Sequence, residues 1–343
     1  MIREVEQPPD AASMDGWLKR HLWHHSAFAD YSALVERKQA LGTTIGVCIP
    51  TLNEAATIGE IVGTLRESLM EDVPLLDELV VMDSGSTDST RQIAQDAGAR
   101  VVEAAAVLPE LPRMRGKGEN LWKALQAMRS NLLCHVDGDI ANMHPRFVTG
   151  LIGPLLTHPE LMYVKAFYRR PLADAGAMLP SEGGRVTEIL VRPMFAAFFP
   201  ELSGFIQPLS GEYAARRSVL ERIPYPVGYG VETAHLIDIW RGWGLGALGQ
   251  VDLDQRVHRH QSTLALGRMA YGILQCLLRR VQHAGRKVDF GEISPWLRQF
   301  EPNDAGNHQL RVHQLDEMER PPMMEIPDYH AAGGGVAGGM EIL

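Results

Sequence analysis

Cysteine is scarce in this sequence, and long apolar runs are absent. The three cysteines, Cys48, Cys134 and Cys276, lie far apart within apolar stretches, which excludes a disulfide framework and a zinc-ribbon spacing. We interpret them as small buried side chains in a reducing compartment. No stretch reaches the roughly 18 apolar residues that a membrane span needs, because the best candidate, 264–281, is interrupted by arginines and a glutamine. That segment predicts an amphipathic helix packed on the domain or, alternatively, on a membrane surface.

Positive charge is also in deficit. The formal net charge of -9 argues against a nucleic-acid binder, which usually carries a basic face. A local basic pocket for a phosphorylated ligand remains compatible with it, because net charge describes the whole surface. The polar N-terminal nine residues contain no apolar segment of the signal-peptide kind, so we expect a cytoplasmic protein. With 45% hydrophobic and 22% charged residues among 343, the chain is typical of a globular protein of one large or about two domains.

Short apolar runs alternate with helical spacing from Thr44 onwards, which predicts an α/β fold with a parallel, doubly wound sheet. The strands are predicted at 45–49, 77–82, 100–103, 132–136, 163–168, 212–215 and 248–253. Helical spacing is found at 17–41, 55–69, 116–128, 186–199 and 231–243. A further helix is predicted between the turn at 83–88 and about residue 97. The segment 172–184 is rich in Ala, Gly and Pro and is predicted to be a mobile loop.

Polar residues follow three of the predicted strands. They are the segment 52–54, the turn 83–86, and Asp137-Gly138-Asp139. Ligands of such sheets bind at the carboxyl ends of the strands, so we expect all three segments to converge on one edge.

Asp137 and Asp139 suit a divalent cation and the ribose of a nucleotide. Mg²⁺ and Mn²⁺ take oxygen ligands and bridge phosphate oxygens; the alternative is a solvated turn. Lys117 lies between two glycines before a predicted helix, where it can contact a diphosphate together with the helix N-terminus; the alternative is a flexible basic loop. Gly85 allows a tight backbone turn beside a ligand, although the same turn can serve only as a helix cap.

Together with the segment 50–54, these motifs resemble the GT-A glycosyltransferases of family 2. Five longer motifs narrow the resemblance: VKAFYRRP at 164–171, GGRVTE at 183–188, QPLSGEY at 207–213, GYGVE at 228–232 and RVHR at 256–259. In this order they resemble the glucosyl-3-phosphoglycerate synthases, a group that also contains closely similar mannosyl-3-phosphoglycerate synthases. The resemblance covers roughly 45–259.

The resemblance implies an activity, a fold and site residues. The implied activity is a retaining transfer of glucose from UDP-glucose to 3-phosphoglycerate, with Mg²⁺ or Mn²⁺ as the cofactor. The implied fold is GT-A, with a mixed central sheet and a C-terminal helical extension, and the implied oligomer is a homodimer. The implied donor-binding set is Pro50, Thr51, Leu52, Asn53, Glu54, Ser84, Lys117, Asp137, Gly138, Tyr229, Gly230, Val231, Glu232 and Arg256. The metal ligands would be Asp139 and His258, and the catalytic set Asp137, Leu209, Ser210 and Glu232. The phosphoglycerate set would be Gly184, Arg185, Val186, Thr187 and His260.

Two positions depart from the group's pattern: His260 replaces an expected asparagine near the acceptor, and Gly138 replaces a common serine.

The motifs also agree with a mechanism. A cation held by Asp139 and His258 would stabilise the leaving nucleotide, while Arg185 would hold the acceptor phosphate beside the anomeric carbon. No carboxylate is evident as an inverting general base, which favours a same-face reaction.

Three alternatives remain: mannose transfer to the same acceptor, sugar transfer to a polyprenyl phosphate, and a non-catalytic nucleotide-sugar-binding module. The lack of a membrane span argues against the second, and intact Asp139 and His258 against the third.

We expect an N-terminal helical segment at 1–43, the GT-A domain at 44–260, a helical region at 261–330 and a disordered Gly-rich tail at 331–343. His21, His24 and His25 are predicted to share a polar helix side rather than to bind a metal, since no acidic residue or thiolate is seen to join them.

Overall fold

The computed structural model describes residues 11–169, 172–174, 177–179, 184–257, 262–282, 290–291, 293–302, 308–327 and 329. Its strands are β1 Leu22–His24, β2 Ile45–Thr51, β3 Glu78–Asp83, β4 Arg100–Glu103, β5 Leu132–His135, β6 Tyr163–Arg169, β7 Leu172–Asp174, β8 Ala177–Leu179, β9 Tyr213–Arg216, β10 Tyr225–Pro226, β11 Leu248–Gln255, β12 Trp296–Pro302, β13 His308–Gln314 and β14 Glu319–Arg320. Its α-helices are α1 Ala11–His21, α2 Tyr31–Ala40, α3 Ile58–Arg66, α4 Thr90–Asp96, α5 Lys117–Ala127, α6 Arg146–Thr157, α7 Arg192–Phe198, α8 Arg217–Leu220, α9 Val231–Trp243 and α10 Thr263–Gln282.

Eight of these strands form one mixed sheet in the order β1-β11-β6-β9-β5-β2-β3-β4. Every neighbouring pair in it is parallel except the two pairs that β9 makes with β5 and β6. The expected α/β fold with a mixed central sheet is confirmed. Because seven strands run the same way, their carboxyl ends share one edge, and the polar segments that follow β2, β3 and β5 meet there.

Helices cover both faces of the sheet, which explains why its central strands are nearly continuous apolar runs. On one face, the stripe formed by Ile58, Ile61, Val62 and Leu65 of α3 packs into a core layer with the strands. On the other, Trp122 of α5 lies in a second layer. Each large apolar side chain fully buried in this way contributes roughly 1.5–3 kcal/mol. The two layers therefore hold the edge segments on a rigid support.

The prediction of one helical pattern over 17–41 is wrong. Helix α1 ends at His21, β1 then pairs in parallel with β11, and a 3-10 turn covers His25–Phe28. A new helix, α2, begins after Asp30, whose side chain accepts a hydrogen bond from the Ala33 amide at 3.0 Å. Backbone pairing of β1 with a distant strand and this N-cap override the local spacing.

The second half differs from the sequence prediction in detail. Residues 187–191 form a π-helical turn before α7, and the described parts of 172–184 include the hairpin β7–β8. Helix α10 is present as predicted and packs on α9, but the chain beyond it forms the hairpin β12–β13 and β14 rather than helices alone. The Gly-rich tail at 331–343 lies outside the described residues. Within the described part of the chain, no helix is both long and apolar enough to cross a membrane.

Candidate active site

The turn after β2 is locked to the turn after β3. The amide of Asn53 donates to Ser86 Oγ at 2.9 Å, and Asn53 Oδ1 accepts from the Thr87 amide at 2.8 Å. Asn53 adopts φ 60°, a conformation that asparagine tolerates better than most residues. Of the five residues in the predicted donor segment, Thr51 is buried and Leu52 is 54% exposed. The turn thus presents a backbone edge and one apolar side chain to solvent.

Asp83 organises the turn after β3 from a buried position. Its carboxylate accepts from the amides of Gly85 at 2.9 Å and Ser86 at 3.0 Å. The neighbouring Ser84, a predicted donor-binding residue, accepts a 2.5 Å hydrogen bond from Asn120 of α5. Asn120 was not singled out in the sequence, where it reads as an ordinary position in an amphipathic helix. It ties α5 to this turn.

Lys117, at the first position of α5, joins two carboxylates that are far apart in sequence. Its Nζ lies 2.6 Å from Asp137 Oδ1 and 3.1 Å from Glu232 Oε1. Burial lowers the pKa of Lys117, but the Asp137 and Glu232 carboxylates raise it by more, so that the amine stays charged. The backbone of Gly211 passes so close that a Cβ there would overlap both Asp137 Oδ2 and Lys117 Nζ. A larger residue at position 211 would therefore displace the ion pair.

Arg256 connects the other side of the same carboxylates. Its Nη2 lies 3.1 Å from Asp137 Oδ2 and 2.5 Å from Asp139 Oδ1, and its Nε lies 3.2 Å from Glu212 Oε1. The hydroxyl of Tyr168 accepts from Arg256 Nη1 at 3.1 Å and donates to Glu212 Oε2 at 2.6 Å. Burial raises the pKa of Glu212, while the Arg256 guanidinium opposes that effect. The sequence analysis assigned Arg256 to the donor site but did not single out Glu212 and Tyr168. Their only mark in the sequence is that they lie in the motifs at 207–213 and 164–171.

The described carboxylates suit a hard divalent cation. One guanidinium nitrogen already lies between an oxygen of Asp137 and an oxygen of Asp139, which shows that the two groups converge on one positive charge. The Asp139 side chain is 29% exposed, and within the described part of the chain its second oxygen has no hydrogen-bond partner. Oxygen donors are those that Mg²⁺ and Mn²⁺ prefer. The second predicted metal ligand, His258, and the predicted acceptor residue His260 lie outside the described residues.

Gly138, between the two aspartates, is buried. Its carbonyl accepts from Thr57 Oγ1 at 2.5 Å, and a Cβ there would lie 2.9 Å from Thr51 Cγ2 and 3.2 Å from the Pro50 carbonyl oxygen. A side chain at this position would therefore press on the donor-binding turn.

The segment around Leu209 and Ser210 contributes backbone rather than a reactive hydroxyl. Ser210 is fully buried, and its Oγ donates to the Ala166 carbonyl at 2.5 Å. That hydroxyl is oriented into the sheet and is unsuited to act as a nucleophile. The segment nevertheless leads directly into Gly211, which touches the Lys117–Asp137 pair.

The glycine-rich segment before α9 is held from the C-terminal part of the chain. The amide of Gly228 donates to Glu317 Oε1 at 2.7 Å. Gly230 and Val231 are buried, whereas the Tyr229 side chain is 45% exposed. Glu317 was not predicted, because nothing in its local sequence marks it as a partner of a segment 89 residues away.

Arg185 is the exposed member of the predicted phosphoglycerate set. Gly184 adopts φ 100°, and Val186 and Thr187 are buried. The guanidinium of Arg185 donates to Thr263 Oγ1 at 3.1 Å, at the start of α10. Of the four described members, Arg185 therefore offers a charged group to solvent, and the buried Thr187 hydroxyl does not.

The family model "Glycosyl transferase family 2" matches residues 46–223. The glucosyl-3-phosphoglycerate synthase of Petrotoga mobilis is 46% identical over 92% of this chain and 96% of its own length. That of Mycolicibacterium smegmatis is 41% identical over 90% and 98%. Among solved structures, mannosyl-3-phosphoglycerate synthase from Rubrobacter xylanophilus matches with a TM-score of 0.83 at 34% identity, over 91% of this chain and 99% of the other. Glucosyl-3-phosphoglycerate synthase from Mycobacterium tuberculosis, in complex with Mn²⁺, UDP and glucosyl-3-phosphoglycerate, matches with 0.74 at 40%, over 86% and 95%.

Proposed function

The chain belongs to glycosyl transferase family 2 and, within it, to the glucosyl-3-phosphoglycerate synthases, and we propose on that basis that it transfers glucose from UDP-glucose to 3-phosphoglycerate and releases UDP. The observation that carries the proposal is the charged network at the carboxyl edge of the sheet. There Lys117 and Arg256 hold Asp137 between them, and Arg256 also holds Asp139. The network brings together residues from several motifs of these synthases that lie far apart in the sequence.

The donor is proposed to bind along the interlocked turns after β2 and β3. The segment 50–54 and Ser84 face the uridine, and Lys117, at the N-terminus of α5, faces the diphosphate, where a cation at a helix N-terminus favours an anion. The ion pair with Asp137 keeps the Lys117 amine charged and in place. Gly211 lets the backbone lie directly against this ion pair.

The metal is proposed to bind at Asp139, with Asp137 beside it and His258 as the imidazole ligand. A bound Mg²⁺ or Mn²⁺ would neutralise charge on the leaving diphosphate. Arg256, which already bridges Asp137 and Asp139, orients both carboxylates toward the same edge. Burial of the arginine among Glu212 and Tyr168 fixes that orientation.

Retention of configuration is proposed because the described side chains of the predicted catalytic set offer no free nucleophile. The Ser210 hydroxyl is bound to a sheet carbonyl, and Glu232 is paired with Lys117. In a same-face transfer, the bond from the anomeric carbon to the diphosphate breaks, and the acceptor hydroxyl oxygen bonds to that carbon. The acceptor proton then passes to the departing diphosphate oxygen. The protein contributes position and charge rather than a covalent intermediate.

The acceptor is proposed to be held through its phosphate by Arg185. The guanidinium fork matches phosphate geometry, and Thr263 supports it from α10. The backbone turn at Gly184, with its left-handed φ of 100°, places the arginine before the helical segment 187–198.

The test is a donor and acceptor panel. Purified protein with Mn²⁺ is given UDP-glucose, GDP-glucose, GDP-mannose or UDP-mannose with D-3-phosphoglycerate, and nucleoside diphosphate release and the product are measured. Glucosyl transfer from UDP-glucose to phosphoglycerate is expected to be fastest. Mannosyl transfer is the second candidate, because a mannosyl-3-phosphoglycerate synthase is among the structural relatives. Release of nucleotide without a phosphoglycerate product for every donor would overturn the proposed activity.

A homodimer and a cytoplasmic location are also proposed. The three cysteines are buried and unpaired, as is usual in a reducing compartment. Helix α10 and the hairpin β12–β13 are the proposed interface, because Trp296, Leu310 and Val312 of the hairpin are about half exposed and share one face by the strand register. Light scattering coupled to size exclusion is expected to give twice the chain mass for wild type and a smaller mass for Leu310→Arg.

A further inference from the structure

A second group of metal-type ligands lies at the end of β1, on the outermost strand of the sheet. Strand β1 pairs with β11 so that His24 stands opposite Asp252. Beyond that pair the register of β11 is irregular, and Asp254 adopts φ 66°, a rare conformation for a residue other than glycine. The Asp254 amide is held by Asp252 Oδ1 at 2.9 Å. This distortion turns Asp254 toward the histidines that follow β1.

Two imidazoles meet the two oxygens of this one carboxylate. His24 Nε2 lies 3.2 Å from Asp254 Oδ1, and His25 Nε2 lies 2.6 Å from Asp254 Oδ2. The imidazole centroids are 4.4 Å apart, and the three ligand atoms all lie within 4.8 Å of one another. Ligand atoms on a tetrahedral zinc ion are about 3.4 Å apart, given bonds of about 2.1 Å. The distance between His24 Nε2 and Asp254 Oδ1 is already close to that value. The distance between His25 Nε2 and Asp254 Oδ2 would have to increase by less than about 1 Å.

The charges around the cluster favour a cation. In the part of the chain that the structure describes, Asp254 has no lysine or arginine partner, whereas Asp137 and Asp139 at the active site both have one. The guanidinium of Arg146 donates to the carbonyls of β11, at Leu253 and Gln255, rather than to Asp254. Among the described residues, the side-chain contacts of the Asp254 carboxylate are therefore with the two histidines.

The contacts of His24 also hold its ring in place. Its Nδ1 accepts a hydrogen bond from the Ser26 amide at 3.3 Å, and Ser26 Oγ lies 2.7 Å from the same nitrogen. Both contacts are on the side of the ring away from Asp254, so Nε2 stays directed at the carboxylate. The side chain of His24 is 46% exposed and that of Asp254 is 42% exposed, so an ion can enter from solvent and keep a water.

We propose that His24, His25 and Asp254 form a binding site for a transition-metal ion of the zinc class, separate from the Mg²⁺ or Mn²⁺ site at Asp139. Two imidazoles and one carboxylate suit Zn²⁺, Co²⁺ or Ni²⁺, whereas Mg²⁺ prefers oxygen ligands throughout. A bound ion would clamp β1 onto β11, the strand that continues into Arg256. The N-terminal segment would then be tied to the strand that positions the active-site arginine.

The test uses the tag-free full chain carrying Asp139→Asn, stripped of metal, so that the active-site carboxylate is not available. Co²⁺ is titrated in excess Mg²⁺ and followed by its visible absorption, and bound Zn²⁺ is counted by elemental analysis after gel filtration. About one Zn²⁺ per chain is expected, together with a Co²⁺ spectrum of low coordination number and a rise in Tm on zinc addition. His25→Gln and Asp254→Asn should each weaken zinc binding by more than about tenfold, and His313→Gln, on the β12–β13 hairpin, should not.

Equal zinc binding by the cluster variants and the Asp139→Asn parent would overturn the proposal, as would no zinc binding by that parent. In either case the cluster is a hydrogen-bonded contact between β1 and β11. Far-UV circular dichroism and the metal-free Tm identify a variant that fails to fold. His24→Gln then replaces it, because His24 is the most exposed of the three side chains.

Discussion

Arg256 and Asp139 form an ion pair in which Nη2 lies 2.5 Å from Oδ1. The pair joins positions 117 residues apart, across the parallel strands β11 and β5 that flank β6 and β9. It holds the Asp139 carboxylate at the edge of the sheet. A divalent cation held at Asp139 would share that carboxylate with the arginine.

Asp139→Asn is expected to lower turnover by at least about a hundredfold with little change in Tm. The amide keeps the shape of the side chain but loses the charge, and Arg256 still pairs with Asp137 and Glu212. Steady-state rates with Mn²⁺ and Mg²⁺, and a chelator titration of wild type, check this. His258→Ala should lose turnover in the same way. Full wild-type turnover in excess chelator would contradict the metal assignment.

Lys117→Ala and Glu54→Ala are both expected to weaken UDP binding, but they should differ in stability. Removing Lys117 leaves the carboxylates of Asp137 and Glu232 facing each other in a largely buried place, which costs up to about 3–5 kcal/mol. Glu54 lies on a turn and should affect binding only. Calorimetry with UDP and thermal unfolding of both variants separate the two effects. Unchanged UDP affinity in both would place the donor elsewhere.

Arg185→Lys is expected to raise the KM for 3-phosphoglycerate at least about tenfold, because a charged hydrogen bond contributes roughly 1.5–3 kcal/mol and lysine lacks the fork. The KM for UDP-glucose should stay the same. Arg192→Lys is the matched control, since Arg192 is paired with Glu188 on the surface two turns further on. Unphosphorylated glycerate should be a poor acceptor of the wild type. If the Arg185 variant matches the Arg192 variant with both substrates, the phosphate is bound by other groups.

The stability of the protein is expected to depend on pH through Lys165, which is fully buried beneath the active site. Its Nζ lies 5.7 Å from the ring centroids of Tyr163 and Tyr213, and burial lowers its pKa from 10.5 to about 8. Between those two values the unfolded chain binds more protons at this group than the folded one. The folded state is therefore favoured as pH rises from about 8 to about 10.5.

Lys165→Met removes this dependence. The difference in the free energy of unfolding between the variant and the wild type should be constant from pH 6.5 to 7.5. It should then shift in favour of the wild type as the pH rises above about 8. Urea unfolding at each pH measures it. A difference that stays constant up to pH 10 would show that Lys165 is not titrating in that range.

Local patterns in the sequence were enough to predict much of the sheet. Strand β4 and helix α9 were predicted to the residue, and β2, β3, β5 and β6 to within two residues at each end. These elements carry continuous apolar runs or a clear stripe, and polar turns end them, so that neighbouring residues determine them. The site motif Asp137-Gly138-Asp139 was visible for the same reason, because it follows an apolar strand directly.

The tertiary structure alone decided which distant residues meet. The insertion of β9 antiparallel between β5 and β6, the placement of Arg256 and Glu212 around Asp137, and the contact of Gly211 with Lys117 all depend on strand order. The break of the predicted helix at 17–41 likewise depends on β11, which pairs with β1 and brings Asp254 to His24 and His25. A local sequence pattern carries no information on a partner more than 200 residues away, because strand pairing and burial of the whole sheet determine that contact.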